Sequence, residues 1–282
     1  MLIADSGATK TDWRFIDKNG KVYSISTAGL SPLFWSSKEI AGEIKRKFPK
    51  TLLAQVKQYK SPIYFYGTSC SSKQRIKIVA EGLQSIFPKS KTIINHDILA
   101  SARALHKEEK GIACILGTGS NSCLYDGKKI IKIIGGLAYI LGDEGSGAHI
   151  GKEFIKSFLN NELPLPIHQA FIKKYRLDKN DIIDAVYNKK HPNRFLASFA
   201  KFIHEHLDNL FIESLVTKSI EDFFEKTVCK YNGYKNIPVG FVGSIAEHFN
   251  SILYSVAKSK EVSISKIISH PIDELVNYHT HK

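Results

Sequence analysis

Short apolar runs and longer amphipathic stretches alternate along the chain, and the spacing within each run sets the element it predicts. Leu2-Ile3-Ala4, Trp13-Arg14-Phe15-Ile16 and Val22-Tyr23-Ser24-Ile25 read as strands, the last two joined by an Asn19-Gly20 turn. A Lys- and Glu-rich stretch over about 37–58 predicts a helix, Ile63-Tyr64-Phe65-Tyr66 a buried strand ending at Gly67, 73–87 a second helix and Thr92-Ile93-Ile94 a strand. A helix opening near Asp97, with Ile98, Leu99, Ala102 and Leu105 on its apolar face, closes this half, and Lys107-Glu108-Glu109-Lys110 marks a boundary.

The second half starts on the same plan. Residues 112–136, IACILGTGSNSCLYDGKKIIKIIGG, hold an apolar strand, a Gly-Thr-Gly turn with small polar residues, a second strand, an Asp126-Gly127 turn and the strand Ile130–Ile134. This repeats the architecture of residues 2–26 with little residue identity and predicts two domains related by an approximate twofold axis, their turns facing across a cleft. Residues 146–236 read as mostly helical, followed by the strand Val239–Val242, a helix from Ala246, a strand near 262–268 and a short helix after Pro271. The expected domains are 1–108, joined by a C-terminal helix over 271–282, and 109–270 with a helical insertion.

Composition narrows the class. With 282 residues and 43% hydrophobic positions the chain can bury a substantial core. No apolar run approaches the roughly 18 residues of a membrane span, and the start lacks signal-peptide character, so no membrane and a cytoplasmic location are expected. Cys70, Cys114, Cys123 and Cys229 form no CxxC pair and read as reduced thiols rather than a disulfide frame or zinc site. The net charge of +13 comes from scattered groups such as Lys45-Arg46-Lys47 and Lys128-Lys129 with acids between them. That pattern is a solvated basic surface, with no nucleic-acid partner expected, and its field attracts small anions.

A glycine turn at a strand end lets an anion approach main-chain N–H groups. At 5–11, Asp5 is placed to hold a hydrated Mg²⁺, Gly7 and Ala8 to form the turn, and Thr9, Lys10 and Thr11 to add donors. An ordinary tight hairpin reads the same way; the second copy at Gly117-Thr118-Gly119-Ser120 favours a two-sided phosphate clamp. GSGAHIGKE (145–153) is not a P-loop, because Ser146 stands where a glycine is needed and Glu153 where a hydroxyl is needed.

ADSGATKTD resembles the first phosphate motif, DxGxTxT, of the actin-like ATPase superfamily of sugar kinases and heat-shock chaperone ATPases. ILGTGSNS is similar to its second phosphate motif, and VGFVGSIAEHF (239–249) to its adenosine motif, where Gly243, Ser244 and Ala246 would approach the purine. With GGLAYILGDEGSGAHIG (135–151), the combination resembles the N-acetylglucosamine kinase branch, in the group that includes activator ATPases of 2-hydroxyacyl-CoA dehydratases. The resemblance implies two α/β domains of the actin-like, ribonuclease H-like kind with an interdomain cleft, ATP and Mg²⁺ as cofactors, and a homodimer.

It also implies roles. Asp97 matches the catalytic base, although an Asp opening a helix is also a plain N-cap, worth about 1 kcal/mol. Thr118, Asn121, Gly136 and Asp143 match sugar-binding positions, Asp143 being equally suited to complement a helix N-terminus. Thr68, Ser69 and Ser31 are further sugar-side candidates. Two departures affect sugar recognition: Gly29-Leu30-Ser31-Pro32 stands where relatives carry asparagine, and Leu137 where they carry tryptophan. The expected reaction is in-line transfer of the γ-phosphoryl of Mg·ATP to the 6-hydroxyl of N-acetylglucosamine, with domain closure excluding water. Alternatives are a kinase for glucosamine, N-acetylmannosamine or N-acetylmuramic acid, and an activator ATPase holding an iron–sulfur cluster.

Overall fold

In a computed structural model describing residues 1–280, the chain divides into two units, one formed by Met1–Lys107 with the residues from His270 onward and one by Glu108–Ser269.

The first unit is built on a five-stranded sheet in the order β3-β2-β1-β4-β5. Strands β1 (Leu2–Ser6), β2 (Lys10–Ile16) and β3 (Val22–Ala28) form an antiparallel meander. Parallel to β1 run β4 (Ile63–Gly67) and β5 (Thr92–His96). Leu2 and Ala4 pack with Trp13 and Phe65 against α1 (Ser37–Lys47) and α3 (Lys73–Ile86), while Ile3 and Tyr66 face α4 (Asp97–His106) and α14 (Ile272–Thr280). Burial on both faces explains why β1 is apolar at successive positions rather than at alternate ones.

The predicted helix over 37–58 is two helices, α1 and α2 (Lys50–Gln58). Pro49 disfavours helical backbone at the preceding residue, and Phe48 is accordingly extended (φ −79°, ψ 135°), ending α1. The side chains of Ser36 and Glu39 form a capping box at its start.

The second unit repeats the first sheet's topology. Its order is β10-β9-β6-β7-β8, with β6 (Lys110–Leu116), β7 (Ser120–Asp126) and β8 (Ile130–Gly135) antiparallel and β9 (Val239–Val242) and β10 (Ile264–Ile268) parallel to β6. Between β8 and β9 come α5 (Ala138–Leu141), α6 (Gly147–Leu159), α7 (Leu165–Tyr175), α8 (Lys179–Tyr187), α9 (Pro192–Ala197), α10 (Ala200–His204) and α11 (Leu210–Lys226). The core joins Ile112, Cys114 and Leu116 to Ile150 and Phe154 of α6 and to Phe223 of α11. Helices α12 (Ser244–His248) and α13 (Asn250–Ser259) follow β9, so the helix expected from Ala246 starts two residues earlier. The four cysteines are free thiols, three of them buried. Among the described residues no helix is long and apolar enough to cross a membrane.

The final helix is tied to the first unit through side chains. Its predicted span of 271–282 is observed as Ile272–Thr280; residues 281 and 282 lie outside the described ones. The buried Tyr66 hydroxyl accepts from Arg103 at 2.6 Å and lies 2.8 Å from Nε2 of His279, whose ring stacks on Tyr64. Replacing Tyr66 by Phe removes a hydrogen bond from each of these groups, and urea unfolding should show a loss of about 1–3 kcal/mol; an unchanged midpoint contradicts that role for the hydroxyl.

Candidate functional site

The parallel strands of the first unit end side by side. In register, Ser6 of β1 pairs with Gly67 of β4 and Gly67 with His96 of β5, so Asp5, Thr68 and Asp97 lie along one carboxyl edge, the usual ligand edge of an open α/β sheet. Gly7 to Lys10 form the turn leaving β1, closed by the Gly7 N–H donating to the Lys10 carbonyl at 2.9 Å. Thr9 and Lys10 are exposed, and Lys10 pairs with Asp12 at 2.7 Å.

The carboxylates on this edge feel one another. Burial pushes the Asp5 carboxyl up to about 7, and the charges of Asp97 and Asp12 add to the effect. A cation beside Asp5 relieves that repulsion, so the donor set fits a hydrated Mg²⁺. Asp97 is the first residue of α4 and not its cap: His96 occupies the N-cap position. Asp97 Oδ1 accepts from the Ile98 amide at 2.8 Å and lies 2.5 Å from His96 Nδ1. Burial disfavours the imidazolium of His96, but the hydrogen bond and charge of Asp97 outweigh burial and raise its pKa. His96 was missed from sequence because a single histidine before the acid carries no spacing signal.

Two side chains expected to meet ligand have hydroxyl partners within the unit. The Thr11 hydroxyl, fully buried, donates to the Ala28 carbonyl at 3.0 Å and lies 2.8 Å from Ser6 Oγ. The Leu30 amide donates to Ser6 Oγ at 3.1 Å, so this hydroxyl pair fastens the segment after β3 to the turn after β1. Ser31, 2% exposed, turns its oxygen to the Leu33 amide. The glycine beside it has a steric role that sequence reasoning overlooked: a Cβ on Gly29 would stand 2.5 Å from the carbonyl oxygens of both Gly7 and Ala8. Thr68 and Ser69 are half-buried; the Thr68 amide donates to Ser6 O, and Ser69 has φ +64°.

In the second unit the turn 117–120 is gripped from three sides. The Gly117 carbonyl accepts from the Gly147 amide at 2.9 Å and the Thr118 carbonyl from Ala148 at 3.1 Å, which satisfies first-turn donors of α6. Asp143 Oδ1 accepts from the Ser120 amide at 3.2 Å, and a Cβ on Gly119 would fall 2.7 Å from Asp143 Oδ2. A Cβ on Gly243, whose φ is +128°, would meet the Leu116 carbonyl at 2.2 Å. The amides of Thr118 and Gly119 take no partner among the described residues.

Asp143 and its surroundings unite several sugar-side candidates. It is 8% exposed at φ +60°, and burial, reinforced by the charge of Glu144 and opposed by the Ser120 amide, raises its pKa. Asn121 lies in register with Gly135, and a Cβ on Gly136 would fall 3.0 Å from Asn121 Oδ1. Leu137 is 61% exposed. Ser244 is exposed and Ala246 buried in the first turn of α12. The structure thus places Asp5, the 7–11 turn, Thr68 and Asp97 in one unit and Thr118, Asn121, Gly136, Asp143, Gly243 and Ala246 in the other.

No protein-family model matches the chain, and no curated protein matches it in sequence. Among solved structures it superposes on a candidate N-acetylglucosamine kinase from Porphyromonas gingivalis with a TM-score of 0.91 and 40% identity, covering 100% of this chain and 99% of that one. A second candidate N-acetylglucosamine kinase, from Chromobacterium violaceum, aligns with a TM-score of 0.71 and 16% identity over 98% of each chain. A ROK family glucokinase from Streptomyces griseus in complex with glucose and AMPPNP aligns at 0.51 and 11% identity over 100% and 98%. The last two likenesses concern the fold alone. With 40% identity sustained over its whole length, the chain belongs to the N-acetylglucosamine kinase branch of the actin-like ATPase superfamily.

Proposed function

We propose that the protein transfers the γ-phosphoryl group of ATP to the 6-hydroxyl of N-acetylglucosamine. The observation that carries the reading is the placing of Asp5 and Asp97 on one carboxyl edge beside the 7–11 turn. The full-length identity with a candidate N-acetylglucosamine kinase supports the choice of acceptor.

Asp97 accepts the proton of the attacking hydroxyl. His96 and the Ile98 amide both engage its Oδ1, which fixes the carboxylate and leaves Oδ2 to meet the sugar. Asp5 would hold a hydrated Mg²⁺, which when bound would neutralise phosphate charge. The amides of Thr118 and Gly119 supply fixed donors to the phosphates that need no reorganisation as charge spreads in the transition state, and the exposed side chains of Thr9 and Lys10 add a hydroxyl and a positive charge. Gly243, Ser244 and Ala246 receive the adenosine. Asn121, Asp143 and the backbone at Gly136 recognise the sugar hydroxyls, a carboxylate and an amide together meeting both donors and acceptors of a diol.

Three outcomes test this. In an ATP-consumption screen of amino sugars with and without the N-acetyl group, N-acetylglucosamine should stimulate turnover most; a preference for another sugar moves the acceptor, and stimulation by none removes the kinase reading. Asp97→Asn should bind ATP and fold normally while turnover falls by about 10²–10⁴, and near-normal turnover takes Asp97 out of the mechanism.

The third concerns pH. The Asp5 carboxyl titrates near 7 in the folded protein against 3.8 as its ordinary value, so the native state binds the extra proton and loses stability as pH rises between those values. Metal-free Asp5→Asn should therefore melt above the wild type at about pH 8, with the gap closing as pH falls toward 4. Equal melting temperatures at pH 8 contradict the burial of that charge.

A further inference from the structure

The segment carrying Asp143 is fastened to the helical layer of its unit by residues that the reading above leaves unused. The Gly145 amide donates to the Ser219 hydroxyl oxygen at 3.2 Å, and that oxygen lies 2.7 Å from Nδ1 of His149. Ser219, on α11, is 2% exposed. Gly145 itself has φ +72°, and a Cβ there would meet Phe223 Cβ at 2.8 Å, so the segment lies hard against α11 at this point. His149, in the first turn of α6, is half-buried and lines a cavity of about 470 Å³ with Glu153, Phe211, Leu215, Lys218 and Asp222.

Hydrogen-bond chemistry fixes the direction of this chain. Ser219 has one proton and two acceptor lone pairs; its oxygen accepts from Gly145, and among the described residues Nδ1 is the one acceptor within reach of its buried proton, so the hydroxyl donates to a neutral imidazole protonated on Nε2. We propose that Ser219 and His149 are a positioning pair that holds the Asp143 segment in its sugar-binding conformation, the direction of the Ser219 hydroxyl being set by the imidazole. The proposal rests on the kinase reading for its link to the sugar.

The surroundings favour the neutral ring. His149 faces Lys152 and Glu153 from its own helix, Glu144 from the preceding loop, and Lys218 and Asp222 from α11. Burial and then the charge of Lys152 hold its pKa below the ordinary 6.5, against the opposing pull of the three acids. Once protonated, Nδ1 becomes a donor, two donors converge on Ser219 Oγ, and its hydroxyl proton must turn away from the ring. The sugar KM therefore rises as pH falls through the imidazole pKa, and the ATP KM does not follow it.

Steady-state kinetics from about pH 5.5 to 8 on wild type, Ser219→Ala, His149→Leu and His149→Asn test the proposal, the asparagine amide oxygen standing in for the Nδ1 acceptor without titrating. Ser219→Ala and His149→Leu should raise the sugar KM about tenfold with the ATP KM unchanged. His149→Asn should keep the wild-type KM at neutral pH and abolish its rise in acid. Parallel increases in both KM values with a lowered melting temperature, a Ser219→Ala KM equal to wild type, or an acid rise that survives in His149→Asn would each overturn it. Hydrogen exchange at the Gly145 amide separates this from the kinase reading: faster exchange in Ser219→Ala and restored protection in His149→Asn support the pair even if no amino sugar is a substrate, and unchanged exchange in Ser219→Ala overturns it.

Discussion

Both strand-end turns of this protein exist because backbone approaches backbone more closely than a side-chain carbon allows. Gly29 presses on the carbonyls of Gly7 and Ala8, and Gly243 on that of Leu116; a Cβ would stand at 2.5 Å in the first case and 2.2 Å in the second. Gly119 gives the same clearance to the Asp143 carboxylate. In the second turn the Gly117 and Thr118 carbonyls accept from the Gly147 and Ala148 amides, while the amides of Thr118 and Gly119 take no partner among the described residues. A turn held this way is preorganised: its dipoles are fixed by packing before any ligand arrives.

The carboxylates follow from that framework. Parallel strands that end together bring Asp5 and Asp97 to one edge, and their mutual repulsion is what raises Asp5 beyond the effect of burial. In the other unit Asp143 is drawn onto the second turn by the Ser120 amide at a left-handed backbone position. Both arrangements cost stability in the free protein, because each holds a carboxylate where burial disfavours its charge.

Much of this is legible in the letters. Alternating apolar runs closed by Asn19-Gly20 and Asp126-Gly127 reveal two meanders, and the observed sheet orders show the same topology twice. The break at Pro49 obeys a local rule that the helical spacing of residues 37–58 masks. Other roles have no local signature. Thr11 lies within a phosphate-like motif, yet its hydroxyl is claimed by Ala28 and Ser6 once β2 and β3 pair, and Ser31 is buried by the turn that follows it. Gly29 looks like a flexible loop residue until the Gly7–Ala8 turn is brought against it. Partners distant in sequence decide these cases, and they emerge only when the sheet is assembled.

The dependence of the first turn on Gly29 can be measured without assuming any acceptor sugar. Calorimetric titration of a non-hydrolysable ATP analogue into Gly29→Ala should show affinity weakened by at least about tenfold, in a protein that still unfolds cooperatively. Wild-type affinity in that folded variant would contradict the claim that close backbone contact at Gly29 shapes the first turn for the nucleotide proposed to bind there.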